Sequence, residues 1–317
     1  MRKRIGVFGL PESRNSMRIV VCGGTGFIGR SLCEVGHWVT LLTRRREEAQ
    51  RLCAPTVTAI EWNGREGGAG EHCLERADAV IHLAGAPIAD ARWTDGRKRF
   101  LTESRVLTTR LLIEAMSRHS SKPQALISAS GIGYYGASDA RVLNESAPCG
   151  RGFLADLCLA WEAEALRGAE FGVRVVMLRT GMVLERDGGA LPKMLLPFRL
   201  FVGGPILPGT QWVSWIHRRD HIGLIQWLLT TPTASGPVNG VAPGAVTMQT
   251  FCATLGEVLH RPSWLPVPGF ALHVALGELG TLMTTGQRVN PAKALYGGYV
   301  FHYPTLEPAM RSIVTKG

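Results

Sequence analysis

The sequence predicts an α/β protein, a doubly wound parallel sheet followed by a smaller C-terminal lobe. Three observations predict it: short apolar runs alternate with longer helical patterns from Met17 onward, the first run leads into a glycine-rich turn, and beyond about residue 185 prolines and glycine pairs interrupt any long regular run. Strand–helix–strand alternation argues for parallel βαβ units with right-handed crossovers, because a parallel neighbour is reached only by carrying the chain back to the same end of the sheet.

The first strand is Arg18–Cys22, opened by a second methionine at position 17. Residues 1–16 stand outside the pattern and read as an N-terminal extension, although residues 4–9 also have the form of a short strand. Further strands are expected near Trp38–Thr43, Val57–Glu61, 79–83, 125–130 and 173–179, and helices over 100–118 and 153–170. This assigns residues 17–185 to the sheet domain, with a later contribution near 216–245, and residues 186–317 mainly to a substrate-binding lobe. The most apolar stretch, 265–283, is broken by Pro266, Pro268, His273 and Glu278, and reads as a core helix rather than a membrane span.

With 317 residues, 45% apolar and 19% charged, the chain is composed like a folded protein and not like a disordered one. Its net charge is +10, but the basic runs at 2–4, 44–46 and 97–99 are short and not interleaved with aromatics. Nucleic acid is therefore not the expected partner, whereas a phosphorylated small molecule needs only one such cluster. The seven cysteines are scattered, with no C-x-x-C pair and no zinc spacing, so no metal is expected and the thiols read as reduced. No apolar secretory segment is evident at the start, which points to a cytoplasmic or similar reducing compartment. The sequence is silent on oligomeric state and leaves a homodimer open.

The strongest motif is the turn Gly23-Gly24-Thr25-Gly26-Phe27-Ile28-Gly29 directly after the first strand. Spaced G-x-x-G-x-x-G, its glycines serve a tight turn, close backbone approach to a pyrophosphate, and close packing of the next helix. The helix start then offers N–H groups to the phosphates. A plain strand-to-helix turn is the simpler alternative, but the position at the head of a βαβ unit favours a dinucleotide and a Rossmann-type sheet. The second strand ends at Thr43 in Arg44-Arg45-Arg46, where an NAD-binding fold usually carries an acid for the ribose 2′-hydroxyl. Arginine instead suits a 2′-phosphate, so NADP(H) is expected, a solvated basic turn being the alternative.

Together with 78–85 (Asp-Ala-Val-Ile-His-Leu-Ala-Gly) and Ser128-Ala129-Ser130, this loop resembles an extended or atypical short-chain dehydrogenase/reductase. More narrowly, Gly133-Tyr134-Tyr135-Gly136, Trp161-Glu162, Trp215-Ile216-His217, Asp220 and residues 239–243 are similar to its sugar-epimerase-like subgroup, over a match from about Met17 to the C-terminus. The resemblance implies a hydride-transferring fold, places Leu83, Ala84 and Gly85 against the cofactor, and implies a nucleotide sugar or other carbonyl compound as substrate.

Two departures stand out. Only six residues separate Gly29 from Gly36, where the family usually has about a dozen, so the first helix is expected to be short. The family's Tyr-x-x-x-Lys pair is also missing: aligned on Glu162, its positions hold Leu154 and Cys158. Tyr135 is then the candidate acid/base and Ser130 its partner at the end of the fifth strand, with packing roles as the alternative. Arg105 belongs to a family-typical Ser-Arg pair and reads as an anion clamp beside the cofactor or as a solvated helix charge. His82 reads as a satisfied core histidine and Cys158 as an inert buried thiol. Trp212, Trp215, Arg199, His217 and Asp220 suggest a substrate-lining cluster, with simple core packing of the Trp212–His217 segment as the alternative. A non-catalytic NADPH-binding sensor or scaffold is the competing function.

Overall fold

The computed structural model describes residues 16–33, 37–52, 57–63, 69–138 and 140–315. The extension at 1–15 lies outside them. The chain begins β1 (Arg18–Cys22), α1 (Gly29–Leu32), β2 (Trp38–Thr43), α2 (Arg46–Leu52), β3 (Val57–Glu61), α3 (Ala69–Glu75) and β4 (Ala79–His82). It continues through α4 (Asp95–Arg118), β5 (Ala125–Gly131), a 3-10 turn (Ile132–Tyr135), β6 (Val142–Leu143), α5 (Phe153–Leu166), β7 (Arg174–Thr180) and β8 (Met182–Leu184). The second half contains α6 (Leu191–Arg199), β9 (Trp212–Val213), β10 (Trp215–His217), α7 (Arg218–Thr230), β11 (Gly236–Gly240), β12 (Val246–Thr247) and α8 (Met248–Leu259). It ends with α9 (Gly269–Leu276), α10 (Glu278–Thr284), β13 (Arg288–Val289), α11 (Ala292–Tyr296) and α12 (Leu306–Val314).

Seven parallel strands form the main sheet in the order β11-β7-β5-β4-β1-β2-β3. The order reverses at β1, which pairs with β2 on one side and β4 on the other. A doubly wound sheet opens a crevice at such a switch point, at the carboxyl ends of its strands. Every residue of β4 is buried, as expected for a strand covered on both faces. One face is packed by Leu224, Ile225 and Leu228 of α7, the other by Leu112, Ile113 and Met116 of α4. The C-terminal lobe has its own core, centred on Phe198, Trp215, Phe251 and Met310.

Several expectations change. The helix expected from residue 100 starts at Asp95, because the Thr94 side chain caps it by accepting the Arg97 N–H. The segment 153–170 is α-helical only to Leu166 and tightens to a 3-10 turn over Arg167–Phe171. The first helix is as short as its spacing implied, four residues. The stretch 265–283 is not a core helix: it forms α9, none of whose residues is buried, and α10, which buries only Leu279 and Gly280. Pro266 and Pro268 precede α9, and Gly277, at φ +62°, breaks the stretch between α9 and α10; α9 rests mainly on α10, leaving Phe270 and Val274 exposed. Among the described residues no helix is long and apolar enough to cross a membrane.

Candidate functional site

The glycine-rich turn lies at the switch point, between the carboxyl ends of β1 and β4. Gly23 has φ +82°, and a Cβ there would stand 2.7 Å from the Ala84 nitrogen; at Gly29 it would stand 2.5 Å from the Gly23 oxygen. Both contacts are with backbone, so no side-chain adjustment could relieve them. The turn is closed by the Gly26 N–H donating to the Gly23 carbonyl and by Arg30 Nε donating to the Thr25 carbonyl. Phe27 and Ile28 pack against the core beneath, and Gly24 is pressed on Leu41 of β2. A strip of main chain free of side chains is what close approach of a pyrophosphate requires, so this turn fits a dinucleotide.

Thr43 ends β2, its hydroxyl accepting the Arg45 N–H. Arg45 is tied to Glu48 at 3.1 Å, whereas the exposed Arg44 has no ion-pair partner among the described residues. Arg44 is therefore available to a 2′-phosphate at no cost in internal bonds.

Leu83, Ala84 and Gly85 follow β4, and Arg105 lies under them. The solvated reading of Arg105 is wrong: it is 8% exposed, its guanidinium lying 5.3 Å from the Trp161 ring centroid. On its other side a Cβ at Gly85 would come within 3.0 Å of Cζ, so Gly85 makes room for the arginine. Arg105 donates to the Ala86 carbonyl at 2.7 Å and to Leu101 O at 3.2 Å, while Ser104 accepts the Ala86 N–H. Both polar groups of Ala86 are thereby fixed to α4. Burial pulls the Arg105 guanidinium down to about 10, and no carboxylate pairs with it among the described residues.

His82, fully buried, is only half satisfied. Thr109 Oγ1 donates to the Arg105 carbonyl and accepts from Trp161 Nε1, so His82 Nε2 must carry the hydrogen and donate to Thr109 at 2.9 Å. Nδ1 is left as a buried acceptor without a partner among the described residues. Burial, reinforced by the Arg105 charge, holds the imidazole neutral with a pKa near about 4.

Ser130 and Tyr135 belong to one buried network that sequence spacing does not reveal. Ser130 Oγ donates to Glu162 Oε1 at 2.6 Å, and Arg179 grips both oxygens of Glu162 at 2.8 Å. Arg179 also donates to the Tyr135 hydroxyl at 3.1 Å and stacks 3.4 Å from the Tyr134 ring centroid. Tyr135 in turn donates to Asn239 Oδ1 at 2.7 Å, and the Asn239 N–H donates to the buried Glu145. Burial raises the Tyr135 pKa above the usual phenol value despite its bonds to Arg179 and Asn239. Leu154 packs on Gly133, and Cys158 is a buried thiol pushed up to about 11.

The proposed Arg199, His217, Asp220 and tryptophan cluster does not form one lining. His217 caps α7 by accepting the Arg219 N–H, and the Asp220 carboxylate accepts the N–H groups of His302 and Tyr303. Trp215 is fully buried with its N–H on the Gly244 carbonyl, and Arg199 is exposed at the end of α6. Trp212 borders a groove of about 490 Å³ together with Ala137, Ser138, Gln211 and Thr284. The described residues lining this groove carry no formal charge. Among the described residues no group of three His, Cys, Asp or Glu could hold a metal ion.

A doubly wound sheet with this glycine cradle at its switch point defines a dinucleotide-binding protein of the short-chain dehydrogenase kind. The chain belongs to the NAD dependent epimerase/dehydratase family, whose profile matches residues 19–240, while residues 267–313 match a domain of unknown function (DUF1731). It is 39% identical over 312 residues to the chloroplastic epimerase family protein SDR39U1 homolog of Arabidopsis thaliana, covering 96% of this chain and 88% of that one. It is 39% identical over 303 residues to the epimerase family protein YfhF of Bacillus subtilis, covering 94% and 98%. The crystal structure of human epimerase family protein SDR39U1 (isoform 2) with NADPH matches with a TM-score of 0.83 at 33% identity, covering 95% of this chain and all of that one.

Proposed function

We propose that this protein binds NADP(H) in the crevice between β1 and β4 and exchanges a hydride with a small carbonyl or carbinol compound. The observation that carries the reading is the glycine turn at Gly23–Gly29, whose backbone leaves no room for a Cβ at Gly23 or Gly29, beside Arg44, which has no ion-pair partner among the described residues. It is supported by the NADPH in the crystal structure of the human relative. Gly23, Gly24, Thr25, Gly26, Phe27, Ile28 and Gly29 would hold the pyrophosphate, and Thr43 and Arg44 the 2′-phosphate. Leu83, Ala84 and Gly85 would lie against the dinucleotide, with Arg105 acting through the loop it anchors. When bound, the reduced nicotinamide supplies the hydride.

The chain's own residues would position the substrate at the end of β5. Glu162 accepts the hydrogen bond of the Ser130 hydroxyl, so Ser130 Oγ offers its lone pairs and is suited to accept a hydrogen bond from a substrate hydroxyl. Tyr135 can release its proton only by giving up Asn239, which makes it a positioning group unless that bond opens. The groove at Trp212 has an uncharged lining, but the Arg288 guanidinium lies 4.3 Å from the Trp212 ring centroid, so a neutral carbonyl compound and a nucleotide sugar both remain candidate substrates. A second reading, an NADPH-binding sensor or scaffold, is favoured by one specific observation. Leu154 and Cys158 stand where a proton-transfer pair would, and the protons of Ser130 and Tyr135 are both engaged internally.

Titration with NADPH and NADH, followed by nicotinamide fluorescence, tests the cofactor. Tight NADPH and weak NADH binding are expected; equal affinities overturn the NADP(H) reading, and no binding overturns the cofactor itself. NADPH consumption with a panel of neutral aldehydes and ketones then separates enzyme from sensor.

A further inference from the structure

We infer that residues 185–189 form a latch on the glycine-rich turn, fastened by Arg218, and that this latch sets how fast a bound dinucleotide leaves. The inference rests on reading that turn as the dinucleotide site. Phe27 sits in the middle of the turn, and the chain that leaves β8 returns to cover its ring. Gly188 is pressed so closely on Phe27 that a Cβ would stand 2.2 Å from Cδ2, and Gly189, at φ +72°, turns the chain away again. An antiparallel bridge between Glu185 and Gly188 closes the segment into a compact turn.

Arg218, the first residue of α7, holds this turn down. Its Nη1 lies 2.6 Å from Asp187 Oδ1 and its Nη2 3.2 Å from Glu185 Oε2, while its guanidinium lies 5.3 Å from the Phe27 ring centroid. One side chain therefore touches both the latch and the turn beneath it. Helix α7 is anchored in the sheet core through Leu224, Ile225 and Leu228, so the fastening point is fixed. The fastening has two parts: the Arg218–Glu185 pair is largely covered, at 21% and 18% side-chain exposure, whereas Asp187 is 66% exposed and its pair, open to water, contributes little. A rigid anchor, a clasp with one half open to water and glycines at the bend make a segment that can lift without disturbing the core.

Phe27 precedes Ile28 and Gly29 at the start of α1, so anything that immobilises its ring also immobilises the N–H groups aimed at the phosphates. With α1 only four residues long, the turn has little helix of its own to stiffen it. The latch supplies that stiffness from outside. Arg218 is thus a positioning residue that acts through Phe27, its own charge being balanced by Glu185 and Asp187.

Stopped-flow measurement of NADPH association and dissociation tests this on the full chain. Arg218→Ala and the double variant Glu185→Gln/Asp187→Asn are expected to raise the dissociation rate about tenfold, with association changed about twofold or less. Arg218→Lys restores part of the loss, and Gly188→Ala, which drives a methyl group into Phe27, shifts dissociation the same way as Arg218→Ala. Gly188→Ala is also expected to lower the melting temperature of the cofactor-free protein, because its Cβ would stand 2.2 Å from Phe27 Cδ2, whereas Arg218→Lys, which keeps the charge, is expected to melt near wild type while dissociation stays faster than wild type, which a merely structural role would not allow. If Arg218→Ala fails to fold, the carboxamide variant carries the test. Dissociation rates near wild type in both overturn the latch, as does slower dissociation from the carboxamide variant, which would make Arg218 a phosphate ligand restrained by its carboxylates. If the wild-type protein binds no NADPH, the dinucleotide reading fails and the latch with it.

Discussion

Replacing Arg179 by methionine removes the centre of the buried network while keeping most of the side-chain volume. Arg179 and Glu162 are 4% and 8% exposed at the side chain, and two bonds of 2.8 Å join them. Without the guanidinium, Glu162 keeps only the Ser130 hydroxyl as a donor among the described residues, and Tyr135 loses the donor to its oxygen. Breaking a buried pair from one side leaves an uncompensated charge and costs about 3–5 kcal/mol. The double variant Arg179→Met/Glu162→Gln removes the charge as well, so most of that loss should return, leaving a deficit of about 1–2 kcal/mol for the weakened hydrogen bonds. Urea denaturation of wild type, Arg179→Met, Glu162→Gln and the double variant measures the cycle. The reasoning is refuted if Arg179→Met lies within about 1 kcal/mol of wild type. It is equally refuted if the double variant is no more stable than Arg179→Met alone.

Gly23→Ala is expected to abolish NADPH binding and lower the melting temperature, because φ +82° and the 2.7 Å approach to Ala84 leave a methyl group no space; calorimetry with NADPH checks both. Arg44→Ala should weaken NADPH by about tenfold or more and leave NADH unchanged, the loss of about 1.5–3 kcal/mol expected for a charged hydrogen bond. Buried His82 and His221 are each held neutral, with pKa values lowered by burial from 6.5 to about 4. The unfolded chain binds these protons first as pH falls, so their contribution is complete above pH 6.5 and is lost between 6.5 and about 4; thermal melts across that window should show stability falling with acid, and less steeply in His221→Gln. In the folded protein at pH 8, Cys158 should resist iodoacetamide, since burial pushes its thiol up to about 11; rapid alkylation read by peptide mass would contradict this.

How much of this was legible beforehand differs by element. The strands Arg18–Cys22, Trp38–Thr43 and Val57–Glu61 occur at the bounds their apolar runs indicate: the first two bury consecutive residues, as strands covered on both faces do, whereas the edge strand Val57–Glu61 alternates buried and exposed positions at its start. The glycine turn was legible from its spacing after the first strand, although its constraint is only partly local: Gly29 answers to the Gly23 and Gly24 backbone, whereas Gly23 answers to Leu83 and Ala84 at the end of β4. Arg105 was not, because its burial depends on Gly85 and Trp161, one on each side of it and both distant in sequence. The latch was missed as well, although the adjacent pair Gly188-Gly189 was a signal that a close approach was being made there.

By itself the sequence determined the parallel α/β architecture, the glycine turn at Gly23–Gly29 and the arginine at the end of β2. Each follows from neighbours within a turn or a strand, where residue type alone limits the outcome. Only the tertiary structure decided where the protons of Ser130 and Tyr135 go, since their acceptors lie 32 and 104 residues away, and that α9 remains uncovered. A hydrogen bond is set by which groups the packed core leaves facing one another, and that is a property of the assembled chain rather than of any stretch within it.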